Sequence, residues 1–185
     1  MASERTTARG AAPLSAVLGT IAFAVAVPGT VVVVVPYLLT GWVLAPPLLG
    51  TSLTRLVGVV LIVLGAPILL SFTLRFVREG HGTPAPIAPT RYLVVGGPFR
   101  RVRNPGYVAV LALVLGQALL FASGSLLVYA ALLAIGFHVF VLLYEEPTLR
   151  RAHGAAYDDY CRAVPRWIPR LRAAPSGGTT PHDRT

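Results

Sequence analysis

PGYVAVLALVLGQALLFASGSLLVYAALLAIGFHVFVLLY, residues 105–144, contains no Asp, Glu, Lys or Arg. A helix needs roughly 20 apolar residues to cross a bilayer core, and this stretch holds two such lengths. Ser123, Gly124 and Ser125 form a small polar break near its middle, so the run reads as two spans joined by a tight turn. The result is an antiparallel helical hairpin, with both ends on one side of the membrane.

The same arithmetic extends towards the N-terminus. No charged residue stands between Arg9 and Arg55 or between Arg55 and Arg75. One span is expected over Leu14–Leu39, kinked at Pro28-Gly29, and a second over Leu56–Phe76. Trp42 lies at interface depth between them, and Pro46-Pro47 break any helix there. The run after Arg5 and Arg9 exceeds the roughly 7–15 residues of a signal-peptide core, so it reads as a retained span, with a cleaved signal as the minor alternative.

Overall 55% of the residues are hydrophobic and 12% are charged, against about 25% charged in soluble domains. The fold class expected is all-α integral membrane: about four transmembrane helices with a C-terminal helical hairpin and a cytoplasmic amphipathic tail helix over 147–163, ended by Pro165 and Pro169. Residues 1–78 hold the first two spans, 79–172 a cytoplasmic loop, the hairpin and the tail, and 173–185 a disordered end. The segment Glu79–Asn104 is rich in Gly, Pro and Arg and reads as loop.

The formal net charge of +9 comes entirely from arginine. All but Arg55 fall in the N-terminal segment, the loop after span two or the tail. That is the positive-inside pattern of a protein with both termini cytoplasmic, and it removes the need to invoke nucleic acid. Cys161 is the single cysteine, so there is no disulfide framework, and no metal-ligand cluster stands out. The composition suggests a GC-rich bacterial source and the plasma membrane.

Counting back from the turn, Tyr107 and the Tyr144-Glu145 pair lie within about one helical turn of the same depth. The hairpin therefore brings Arg100, Arg101, Arg103, Asn104 and Tyr107 beside Glu145 and Glu146 at the cytoplasmic face. His138, seven residues before Glu145, shares its helical face. The arginines and the start of span three suit an anion; the carboxylate pair suits a cation. Plainer readings exist for each part. The arginines serve as topology signals, Asn104-Pro105 as a helix start, Glu145-Glu146 as partners of Arg150 or Arg151, and His138 as a neutral interhelical hydrogen-bonder.

Taken together, Gly97-Pro-Phe-Arg-Arg-Val-Arg-Asn-Pro-Gly-Tyr107, the hairpin, Glu145-Glu-Pro-Thr-Leu-Arg-Arg-Ala-His-Gly154-Ala-Ala-Tyr157-Asp-Asp-Tyr160 and Val164-Pro-Arg-Trp167 resemble the isoprenylcysteine carboxyl methyltransferase and phospholipid methyltransferase superfamily. The resemblance covers roughly Gly97–Pro169; the first two spans match only in being apolar. It implies S-adenosylmethionine as methyl donor, bound at the cytoplasmic end of the hairpin and covered by the C-terminal segment. By position, Arg103, Asn104, Pro105 and Tyr107 correspond to the family's Arg-His-Pro-x-Tyr element in the cofactor pocket. Glu145 and Glu146 correspond to its Glu-Glu element, with catalytic and cofactor-binding roles. Arg151 corresponds to a catalytic basic position near the acceptor, and His138 to a cofactor-facing one. Asn104 replaces the family His, and an amide does not titrate near neutrality.

The acceptor expected is lipidic or a small hydrophobic molecule drawn from the bilayer; the residues leave its identity and the oligomeric state open. Two alternatives are an NADPH-dependent membrane reductase of the steroid-reductase kind and a non-enzymatic membrane subunit.

Overall fold

The computed structural model describes residues 26–79 and 96–172, and these form helices joined by turns, with no strand among them. The expected N-terminal half of span one, most of the loop after span two and the tail beyond residue 172 lie outside the described residues. We number the helices α1 (Ala26–Thr40), α2 (Leu53–Glu79), α3 (Pro105–Leu120), α4 (Gly124–His153) and α5 (Ala155–Ala163). By length and composition, α2 and α4 are sufficient to cross a membrane, while α1 and α3 are shorter apolar helices.

The surface is inverted relative to a water-soluble protein. Leu38, Val63, Leu132 and Leu143 are 62–75% exposed, whereas Asn104, Gln117 and Glu146 are buried. Apolar side chains on the outside with polar groups held inside is the arrangement a hydrocarbon solvent selects.

Helices α2 and α3 meet backbone to backbone. A Cβ added at Gly58 would stand 2.6 Å from the Gly116 carbonyl oxygen, and one at Gly116 would stand 2.7 Å from that of Gly58. One heptad along, Gly65 faces the Ala109 carbonyl. Small residues at this spacing let helices approach closely where no hydrophobic effect drives them together. The core around Val110, Val114 and Ala130 is then closed by Val31, Val32, Tyr129, Leu133 and Phe137.

Two prolines set the shape of the helices that flank this pair. Pro36 has no N–H for the carbonyl of Val32. The chain responds with a π turn over Thr30–Val34, in which Val35 N–H bonds back to Thr30 O. Helices α3 and α4 satisfy the released carbonyls: Gln117 Nε2 donates to Val32 O (2.9 Å) and the Tyr129 hydroxyl donates to Val31 O (3.2 Å). Gly29, expected at a kink with Pro28, has ordinary helical angles; among the described residues of α1 the irregularity belongs to Pro36, and the turn before Pro28 lies outside them.

Pro147 repeats the device in α4. A π turn over Val141–Glu145 closes with Glu146 N–H donating to Val141 O. The helix then runs on to His153 and stops at Gly154, whose φ is +53°. The single tail helix expected over 147–163 is therefore two pieces, the end of α4 and the separate α5. The hairpin turn also falls slightly earlier than expected, with Ala122 at φ +56° and the Ser123 hydroxyl accepting from Leu126 N–H as the cap of α4.

Candidate functional site

The site grows from the start of α3. Asn104 is the N-cap and Pro105 the first helical residue, but the Asn104 side chain makes no capping bond. Its amide instead donates to the Arg166 carbonyl at 3.1 Å. Residues 164–170 run back along the segment before α3. Arg103 N–H donates to Pro165 O (2.9 Å) and Arg170 N–H to Arg101 O (3.0 Å), while the Tyr160 hydroxyl donates to Phe99 O at 2.8 Å. The C-terminal segment is thus a strap tied across the loop at the mouth of the hairpin.

Glu146 lies at the centre of these ties. Arg166 grips it with two N–H groups, Nε to Oε1 at 2.6 Å and Nη2 to Oε2 at 3.0 Å, and Arg103 Nη1 reaches Oε1 at 3.0 Å. Two-point guanidinium–carboxylate contacts of this kind are among the stronger polar interactions available. Arg103 Nη1 also lies 2.8 Å from Cys161 Sγ, and its Nε is buried without a partner. Bonding to Glu146 holds the Arg166 guanidinium even more firmly protonated than usual. Burial pushes the Tyr160 hydroxyl above its ordinary range, so it remains a donor.

Glu145 has different surroundings. The Tyr107 hydroxyl donates to its Oε2 at 3.1 Å, and among the described residues no arginine bridges it. The Tyr107 ring stacks on Phe137, with centroids 4.6 Å apart. The hairpin therefore brings Arg103, Asn104, Tyr107, Glu145 and Glu146 together through contacts given by the structure. The plain expectation for the carboxylates, pairing with Arg150 or Arg151 along their own helix, does not hold. Arg150 bonds Asp158 on α5 at 2.8 Å, and Arg151 is exposed, donating to Thr148 Oγ1 at 3.4 Å, outside this cluster.

His138 is not stacked over Glu145. The π turn between them adds a residue, which rotates the later part of the helix by about 100° relative to the earlier part. His138 instead accepts from Trp167 Nε1 at 3.1 Å. The two rings border a groove of about 520 Å³ lined by Val108, Leu111, Ala134, Ile135 and Val139. This groove is apolar except at its His138–Trp167 rim.

Sequence reasoning missed Arg166, the second cation on Glu146, although it stands within the quoted Val164-Pro-Arg-Trp167 motif. It also missed Gln117 and Tyr129. The available signal was their polarity inside apolar helices, since such side chains must find partners there.

No curated protein and no solved structure matches the chain. The family model for phospholipid methyltransferase matches residues 53–156, more than half of the chain. The match begins at α2 rather than at Gly97, in keeping with the backbone contact that fuses α2 to α3, and it ends before the strap. The helical hairpin, the Glu145-Glu146 pair and the loop that meets it all fall within the matched stretch. The chain belongs to the phospholipid methyltransferase family.

Proposed function

We propose that the protein is a membrane-embedded, S-adenosylmethionine-dependent methyltransferase acting on a lipidic or small hydrophobic acceptor. On this reading the chain crosses a bacterial plasma membrane four times, with both termini and the site on the cytoplasmic side, supported by the arginine distribution. The observation that carries this reading is the pairing of a dense ionic cluster (Arg103, Glu146 and Arg166) with Glu145, which no arginine bridges among the described residues, beside an apolar groove.

The residues fit the cofactor's chemistry. S-adenosylmethionine supplies a methyl group already activated on a sulfonium, together with an ammonium and a carboxylate. Glu145, held by Tyr107 and bridged by no arginine among the described residues, is the group suited to a cation. Arg103, with an N–H buried and unpartnered, is suited to a carboxylate. Asn104 and Pro105 fix the start of α3, whose free N–H groups favour negative charge. His138 and Trp167 border the groove, through which an apolar acceptor reaches the site from the bilayer. The chain's main contribution is alignment, since holding two reactants in line removes much of the entropic barrier. An acceptor arriving as an ammonium must first lose a proton, and Glu145 is the carboxylate free to take it. Arg151, exposed near the end of α4, serves acceptor headgroups rather than the cofactor.

Calorimetry of the detergent-purified protein with S-adenosylmethionine tests the reading. Micromolar binding by the parent and its loss in Glu145→Gln would support it. A folded parent that binds NADPH in preference would favour the reductase, and one that binds neither would favour a non-enzymatic subunit.

A further inference from the structure

The strap has an outer side that the ionic cluster does not use. Between the anchors at Arg166 and Arg170 it dips along α4, because Trp167 bonds His138. His138 precedes Tyr144, the last apolar residue of the span, by six positions, or about 9 Å along the axis. Trp167 thus lies below the level of Glu145 and Glu146, at the depth where tryptophan concentrates in membranes. The neighbouring Ile168 and Leu171 are 80% and 98% exposed, which leaves apolar surface beside Trp167 for acyl chains to cover.

Among the described residues, the unpaired charge around this tip is of one sign. The side chains of Arg101, Arg170 and Arg172 are exposed and make no ion pair among the described residues. The acids of α5 are taken, Asp158 by Arg150 and Asp159 by Arg162. Apolar side chains at interface depth beneath a row of unpaired arginines complement an anionic phospholipid: acyl chain against Ile168 and Leu171, phosphate against the guanidiniums.

We propose that the strap at 167–172 is a membrane-dipping anchor that binds anionic phospholipid headgroups. The inference rests on α4 crossing the bilayer and not on the identity of the methyl donor.

The test uses the full chain in bilayers of mixed phosphatidylcholine and phosphatidylglycerol, with bromine on the acyl chains of one lipid or the other. Trp42→Phe leaves Trp167 as the only tryptophan, and Trp167→Phe leaves Trp42 as a control. Bromine on phosphatidylglycerol is expected to quench Trp167 more than bromine on phosphatidylcholine, since each arginine near the headgroups is worth about a fivefold preference for an anion. Arg170→Gln with Arg172→Gln, exposed changes that leave the cluster intact, is expected to erase the difference. Equal quenching of Trp167 by both lipids in the parent overturns the proposal. So does an unquenched Trp167 beside a quenched Trp42, which leaves the membrane reading standing. If neither tryptophan is quenched, the membrane reading and the proposal fall together.

Discussion

Replacing Glu146 by Gln removes the negative charge and one of the two oxygens that Arg103 and Arg166 share and leaves two guanidiniums uncompensated in a shielded place. With Arg103 12% and Arg166 30% exposed, the expected loss is about 2–3 kcal/mol, short of the 3–5 of a fully buried pair. It would be read as a lowered melting midpoint in detergent. Glu145→Gln is expected to leave that midpoint nearly unchanged, because the amide oxygen still accepts from Tyr107, while S-adenosylmethionine binding weakens at least about tenfold. Equal effects of the two variants on stability would refute this division of roles. Tyr160→Phe removes the bond to Phe99 and is expected to cost about 1 kcal/mol. The Tyr160 hydroxyl is raised above its ordinary 10.0 by burial, so its contribution is whole below about pH 10 and is lost as pH climbs through the higher folded-state value. Melts across that range should show the parent converging on Tyr160→Phe.

Among the helices, α4 carries the sharpest expectation. Pro147→Ala restores the missing N–H donor and with it the option of an unbroken α-register. That change would turn Glu145 away from Tyr107 by about 100°. Because Glu146 turns with it and leaves Arg103 and Arg166, a lowered melting midpoint together with lost cofactor binding is the expected signature; retained binding would show that the π turn does not aim the carboxylates. For α2 and α3, Gly58→Ala or Gly116→Ala drives a methyl group into backbone, with an expected cost of about 1–3 kcal/mol. The apolar helices and the hairpin were legible in the sequence because charge is so rare in it. The π turns were not, although Pro36 and Pro147 stood in plain view. Which helix would supply partners for the carbonyls a proline releases is a tertiary question, answered here by Gln117 and Tyr129. The same limit hid Arg166: pairing it with Glu146 needs the strap's return path, which no local periodicity encodes. Asn104 was correctly placed at the helix start, but its side chain serves the strap.

For the molecule as a whole, the arginine distribution sets an expected topology that surface labelling can check. In a Cys161→Ser background, a membrane-impermeant maleimide is expected to label Thr51→Cys and Ser125→Cys on intact spheroplasts. Arg170→Cys should react only after permeabilisation. Labelling of Arg170→Cys from outside would overturn the four-span arrangement. The family match reaches from α2 to residue 156, so the hairpin and its carboxylates lie inside the family's shared framework and the strap lies beyond it.

The strap also orders events during synthesis. Arg103 and Glu146 leave the ribosome on either side of the hairpin, whereas Arg166 follows later. On the four-span proposal, α3 and α4 enter the bilayer while Glu146 has one guanidinium and open water beside it, and a carboxylate at the interface does not hinder insertion. Its burial comes only as the strap arrives and excludes that water. A nascent chain halted before Pro165 would be threaded through the membrane yet unable to sequester a ligand, so methyl transfer would be withheld until translation had passed the final tie at Arg170.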